Sequence, residues 1–253
     1  MGASRNSLAI VLRSRSYGES DKIVTFLTQD CGKLTGIAKG AKRSRRRFPN
    51  SLEPLACVRV YFRQPPQATL AFLESCELVR PAAGLTDPAR FAYGSYLAEL
   101  TDQLMVEEQP ARELYALLAE GLAALEEGPV TGAFLRSFEL QALARAGFAP
   151  QIDRCNRCQR LLLSAQPALL DVAHGTFSCG DCRVAGTATV GVPAGVLPRL
   201  AVLRELPLAD CQQRSLGVVA TAAAQLTGHL LALHLSRPLQ AVKLIEQLAA
   251  SAG

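Results

Sequence analysis

With 253 residues, of which 49% are hydrophobic and 19% charged, the chain can bury a substantial core, which excludes a disordered protein and allows one large domain or two to three small ones. The formal charge of +5 hides an asymmetry: residues 1–80 hold 14 Lys/Arg against 6 Asp/Glu, and the remainder hold 13 against 16. A strongly basic module on a slightly acidic body implies a polyanionic partner for the first module.

At the N-terminus the apolar run Leu8 to Leu12 is interrupted by Arg13 and is too short for a signal peptide. Residues 1–80 then read as β structure. "LAIVLRSR", "KIVTFLT", "KLTGIAKG", "CVRVYFR" and "TLAFLESCELV" are five strands, with "YGESD", "DCG" and "QPPQ" as turns. In the first strand Leu8, Ile10 and Leu12 are set against Arg13 and Arg15. In the fourth, Val58, Val60 and Phe62 alternate with Arg59, Tyr61 and Arg63. Five short strands with one polar, basic face predict a small closed barrel of the OB type.

Between the third and fourth strands lies "AKGAKRSRRRFPNSLEP", which carries Lys39, Lys42, Arg43, Arg45, Arg46 and Arg47 within nine positions. Clustered cations bind phosphate backbones with release of counterions, and a flexible basic loop does this well. Lys33, Lys39, Arg59 and Arg63 on or beside the flanking strands extend the charge, while Tyr61 and Phe48 offer faces for base stacking. A solvated loop, or a surface for an acidic protein tail, is the alternative, and charge does not separate DNA from RNA.

Near residue 81 the apolar period changes from two to about 3.6. The first predicted helix starts with Thr86 or Asp87 as cap and Pro88 in its first turn, followed by Leu97, Leu100 and Leu104. A second carries Leu114, Leu117, Leu118, Leu122 and Leu125 and stops at Gly128. A third carries Phe134, Phe138 and Leu143 and stops at Gly147. Two or three helices resume after residue 193, the last beginning near Ser236–Pro238. Residues 215–236 lack Asp, Glu, Lys and Arg, but Gln225, His229, His234 and two glycines favour a buried helix over a membrane span. These features predict an α+β multidomain chain: a barrel over 1–80, helical parts over 81–150 and 187–253, and a small module over 151–186.

In that module Cys155-x-x-Cys158 and Cys179-x-x-Cys182 are separated by twenty residues, with His174–Gly175 as a hairpin tip between them. Two such turns facing each other supply four thiolates, the ligand set of a structural zinc site. Arg154, Arg157, Arg160 and Arg183 surround them and favour ionised thiols. Competing readings are a redox C-x-x-C, which needs a thioredoxin-like framework that is absent, disulfides, which conflict with a cytoplasmic setting, or unrelated thiols. Four cysteines leave no open position for a catalytic water. Cys31, Cys57, Cys76 and Cys211 have no partner spacing.

No phosphate-binding loop, H-E-x-x-H or clustered carboxylate pattern is present, and Glu107–Glu108 and Glu126–Glu127 are adjacent pairs that diverge on a helix. The expectation is a protein without enzymatic activity.

"YGESDKIVTFLTQDCGKLTGIAKGAKRSRRRFPNSLEPL" (residues 17–55) resembles the N-terminal signature of the bacterial RecO family of DNA repair proteins. "GFAPQIDRCNRCQR" with the later C-x-x-C resembles the family's zinc module, and "SRPLQAVKLIEQL" its C-terminal helix. The resemblance implies an N-terminal OB-fold and a helical domain with an inserted module holding one structural Zn²⁺ on Cys155, Cys158, Cys179 and Cys182. It also implies binding of single- and double-stranded DNA, annealing of complementary strands, partnership with RecR, contact with the acidic C-terminal tail of single-strand-binding protein (SSB), and help in loading RecA. The expected DNA contacts are Arg13, Arg15, Lys33, Lys39, Lys42, Arg43, Arg45, Arg46, Arg47, Arg59, Tyr61 and Arg63, in a cytoplasmic, nucleoid-associated protein.

Overall fold

A computed structural model of the chain describes residues 3–65, 68–82, 87–105, 111–162, 166–184, 186 and 188–251. Thr86 as a helix cap, Pro66–Gln67 of the "QPPQ" turn and the Glu107–Glu108 pair lie outside the described residues. By contact the chain forms two compact units, residues 1–127 with 239–253, and residues 128–238.

The first unit is built on five strands: β1 (Arg5–Tyr17), β2 (Asp21–Thr28), β3 (Gly32–Ala38), β4 (Cys57–Arg63) and β5 (Ala71–Arg80). They close into a barrel of order β1-β2-β3-β5-β4, with β1 pairing β4 and a parallel seam, Gly36↔Ala71 and Ile37↔Phe72, between β3 and β5. This is the OB-type barrel that the strand pattern predicts. Closure leaves no long sheet edge to be templated by another chain. Its interior is filled by Ala9, Val11, Val24, Phe26, Val58, Val60 and Phe62, among others. β4 therefore points as its alternation predicts.

β1 does not follow its expected division. Ala9 and Val11 face the barrel interior, while Ile10 and Leu12 are buried outside that cluster. The physical reason is a second layer: α1 (Pro88–Leu104) and α2 (Arg112–Glu127) pack on β1, so both of its faces are covered. The pairing with β2 shifts between Val11 and Arg13, a bulge that re-aims the strand ahead of Arg13 and Arg15.

Asp87 caps α1 by accepting from Ala89 N at 3.3 Å, with Pro88 in the first turn. Leu97, Leu100 and Leu104 are buried, as are Leu114, Leu117, Leu118, Leu122 and Leu125 of α2. α7 (Gln240–Ser251) packs on α1, and Glu99 accepts from Ala241 N at 2.9 Å at its start.

The second unit centres on α3 (Gly132–Arg145), capped by Thr131, whose hydroxyl accepts from Phe134 N at 3.2 Å. Phe134, Phe138 and Leu143 are buried, and Gly147 turns the chain at φ 85°. A three-stranded sheet of order β7-β6-β8 follows: β6 (Ala168–Asp171), β7 (Thr176–Cys179) and β8 (Thr189–Val192). The β6–β7 hairpin turns at His174–Gly175 as expected, but β8 was not foreseen. Then come α4 (Val196–Glu205), the single turn α5 (Leu208–Cys211) and α6 (Ala220–Ala232). Ser137 Oγ donates to Leu203 O at 2.7 Å and Gln141 Nε2 to Leu206 O at 2.9 Å, which joins α3 to the end of α4. Residues 215–236 contain a short 3-10 turn and α6, and among the described residues no helix is long and apolar enough to cross a membrane.

Candidate nucleic-acid interface and metal centre

The basic segment between β3 and β4 is not the flexible loop that its charge suggests. Gly40, at φ 68°, donates its N–H to Asp21 Oδ1 at 2.8 Å, and the Lys42 N–H reaches Ser20 O at 2.9 Å. Asp21 sits below the ordinary carboxylate range, chiefly because Gly40 N–H stabilises its charge, with Ser20 Oγ helping. Further along, Cys76 N donates to Arg47 O at 2.8 Å, and Leu55 N and Val11 N bond across to Val11 O and Ala56 O. Phe48, Leu52 and Ala56 join the barrel core. The apolar half of the segment is thus a plug, and its basic half is anchored at Gly40–Lys42 and at Arg47.

Phe48 is 5% exposed and is therefore core, not a stacking face. Its ring instead carries the Arg47 guanidinium 5.3 Å from the centroid, and Arg47 Nη2 also donates to Lys39 O at 2.6 Å. Lys42 Nζ is tied to Gly18 O at 2.9 Å. Arg43, Arg45, Arg46 and Lys39 are exposed. Anchoring the backbone while leaving these side chains outward lowers the ordering cost of gripping a polyanion.

The remaining expected contacts divide. Arg15 is exposed on β1. Arg59 donates to Asn6 Oδ1 at 3.2 Å, Arg63 Nε meets Glu74 Oε1 at 2.5 Å, and Tyr61 Oη donates to Glu77 at 3.1 Å. Burial, then the Glu77 hydrogen bond, pushes the Tyr61 hydroxyl above its usual value. Arg13 and Lys33 both pair with Asp102 of α1, Lys33 at 2.7 Å. Asp102 was missed in the sequence, although an aspartate between Leu100 and Leu104 on a buried stripe is the signal that could have found it.

In the second unit the four expected cysteines come together, their sulfurs all within 4.8 Å of one another. Cys155 and Cys179 are buried, Cys182 partly so, and Cys158 is exposed. Two backbone knuckles make the cradle. Gln159 N bonds back to Cys155 O with Gln159 at φ 59°, and Arg183 N bonds to Gly180 O after a 3-10 turn over Gly180–Cys182. Asn156 N donates to Phe177 O at 2.8 Å and joins the first knuckle to β7. The Cys158 and Cys179 sulfurs are 3.7 Å apart, close to the edge of about 3.8 Å in a tetrahedron with metal–sulfur bonds of about 2.3 Å. Burial pushes the Cys155 thiol up, but backbone N–H groups of Cys158, Cys179 and Arg157 outweigh it and hold the thiol at about 6. The Cys182 thiol is pushed up to about 12, first by its contact with the Cys158 sulfur. Crowded sulfurs of this kind share protons until a cation replaces them, so the donor set fits a metal ion.

His174 is not part of the cluster: its Nδ1 pairs with Asp171 Oδ2 at 2.9 Å in the hairpin turn. Cys57, Cys76 and Cys211 are buried singly, and burial pushes the Cys76 thiol up to about 12.

Residues 3–82 match the family described as Recombination protein O N terminal, and residues 85–242 match Recombination protein O C terminal. A DNA repair protein RecO of Anaeromyxobacter dehalogenans (strain 2CP-C) is 38% identical over 242 residues, 94% of each chain. That of Syntrophus aciditrophicus (strain SB) is 37% identical over 207 residues, 81% of this chain and 80% of its own. That of Myxococcus xanthus (strain DK1622) is 37% identical over 198 residues, 78% and 80%. Both halves of the molecule, barrel and helical region with its cysteine knuckles, are matched in order, and the chain belongs to the recombination protein O family.

Proposed function

We propose that this chain is a non-enzymatic mediator of DNA repair and recombination. It binds single- and double-stranded DNA, anneals complementary strands, and acts with RecR to help load RecA onto SSB-coated DNA. The observation that carries this reading is the anchored basic segment, where Lys39, Arg43, Arg45 and Arg46 face solvent on a backbone fixed by the barrel core. Family membership and the printed names of its relatives support the repair role.

Annealing requires two like-charged backbones to approach, and a surface of fixed cations lowers that repulsion while the bases pair. No nucleotide hydrolysis is needed. The barrel, residues 1–80, is the principal DNA-binding domain, with Arg15 and Arg59 extending the path of the segment. The SSB tail docks on the helical region, and the protein works in the cytoplasm on nucleoid DNA. The cysteine cluster holds one structural Zn²⁺, favoured because four thiols in a closed set suit zinc and leave no site for a reacting water.

The test is annealing of complementary SSB-coated oligonucleotides with RecR present. Arg45→Glu/Arg46→Glu is expected to lose annealing and to reduce the slope of log K against log salt for a single-stranded oligonucleotide by about 1.4 or more. Unchanged annealing by that variant would overturn the reading. Elemental analysis is expected to find one zinc per chain, and a folded, metal-free protein would remove the zinc assignment.

A further inference from the structure

The two compact units redistribute the charge seen in the sequence. Residues 81–127 with 239–253 hold 3 Lys/Arg against 10 Asp/Glu, so the acidic character lies in α1, α2 and α7 and their connections. The second unit, residues 128–238, holds ten arginines, no lysine, and six Asp/Glu. It is a basic body in its own right.

Four of those arginines belong to the cysteine knuckles, and all four are exposed. They differ in what they do. Arg154 Nη1 donates to Gln159 O at 3.2 Å, and Arg160 Nη1 pairs with Asp181 at 2.6 Å, across from the first knuckle to the second. These two hold the knuckles. Arg157 lies inside the first knuckle and Arg183 directly follows the second, and among the described residues neither guanidinium has an ion pair or hydrogen bond. A guanidinium fork on a rigid turn is a ready bidentate donor to phosphate, with little entropy left to lose. Asn156 and Gln159, both exposed beside them, add amide donors.

We infer that the knuckle face is a second contact for a nucleic-acid phosphate backbone, made by Arg157 and Arg183 and separate from the barrel segment. The occupant is a phosphodiester because a unit with ten arginines against six carboxylates suits a long polyanion; the same donors would grip an acidic peptide, which the test separates. The inference rests on the reading that this protein binds nucleic acid. It adds that the second unit contributes a grip of its own, as a protein that brings two backbones together requires.

The experiment compares the full-length protein with Arg157→Glu/Arg183→Glu and with Arg45→Glu/Arg46→Glu, using a fluorescent single-stranded oligonucleotide across a salt series. Zinc content and hydrogen exchange of the Asn156 amide, which donates to Phe177 O, confirm that the knuckles remain folded. Loss of two phosphate contacts is expected to reduce the slope of log K against log salt by about 1.4, with affinity falling tenfold or more at low salt. Arg157→Lys/Arg183→Lys is expected to recover most of the affinity. Unchanged slope and affinity in a folded Arg157→Glu/Arg183→Glu variant overturn the inference, as does loss of binding to an acidic peptide with DNA binding intact. If the barrel variant alone binds normally, it is the barrel reading that fails, and the knuckle result stands on its own slope.

Discussion

Lys33 Nζ lies 2.7 Å from Oδ1 of Asp102, a carboxylate on α1 whose side chain is only 3% exposed, and Arg13 shares the same group. The three partners are not equally placed: Arg13 is 50% exposed and Lys33 26%. Removing the carboxylate leaves two cations that water can reach, whereas removing both cations strands a charge that water cannot reach. Asp102→Asn is therefore expected to cost about 1 kcal/mol, and Arg13→Met/Lys33→Met about 3 kcal/mol. Hydrogen exchange along α1 and β1 measures both, and the reverse order would show that the carboxylate is not the dependent partner.

Within the basic segment the arginines are expected to separate by role. Arg47 is held by Lys39 O and by the Phe48 ring, so Arg47→Glu disturbs the plug as well as DNA binding. Arg45→Glu/Arg46→Glu is expected to leave the thermal midpoint unchanged and to weaken oligonucleotide binding alone. Phe48→Ala empties a core position and is expected to cost about 3–5 kcal/mol, while Phe48→Leu keeps the fold and the oligonucleotide affinity. A base stacked on Phe48 would make the leucine variant lose roughly 1–3 kcal/mol of binding.

Much of the fold and of the candidate site is legible in the sequence. The alternation in Val58–Arg63 fixed β4's inward face, because a strand with one polar side has only one way to lie. Paired C-x-x-C spacing brought the four sulfurs together for a similar reason, since each knuckle is a local turn. What failed was non-local. Ile10 and Leu12 could not announce that α1 and α2, encoded some eighty residues later, would cover the second face of β1. Phe48 directly follows six cations in the sequence, and only the closed barrel shows that its ring turns inward while the charges turn out. Asp102 carried a local clue, yet its partners lie on β1 and β3.

Asp21 gives the segment a dependence on pH. Its carboxylate is held below the ordinary range by Gly40 N–H and then by Ser20. A depressed pKa in the folded state contributes stability that is fully present above the unfolded value and is lost as pH falls through the folded one. Gly40 amide protection, measured by NMR, is expected to stay level from neutral pH down to the ordinary carboxylate range and to fall from there as pH drops toward the depressed folded value. In Asp21→Asn the same amide is expected to be less protected throughout and to show no such step. A wild-type step near neutral pH would assign the effect to another group.

Gly36 sits at the parallel seam, paired with Ala71 on β5 and with Val24 on β2. A Cβ there would lie 2.5 Å from Leu73 Cδ2 and 3.0 Å from Ala71 O, closer than carbon atoms pack. The absent side chain is what lets β3 and β5 approach and the barrel close around Leu73, which is fully buried. Gly36→Ala is expected to cost about 1–3 kcal/mol by overpacking. Leu73→Ala alone costs about 2–5 kcal/mol by leaving a cavity. The added methyl partly fills that cavity, so the double variant is expected to lose clearly less than the sum of the two. Hydrogen exchange of the β2 and β3 amides reads all three variants, and strict additivity would show that Gly36 and Leu73 do not share the space assigned to them.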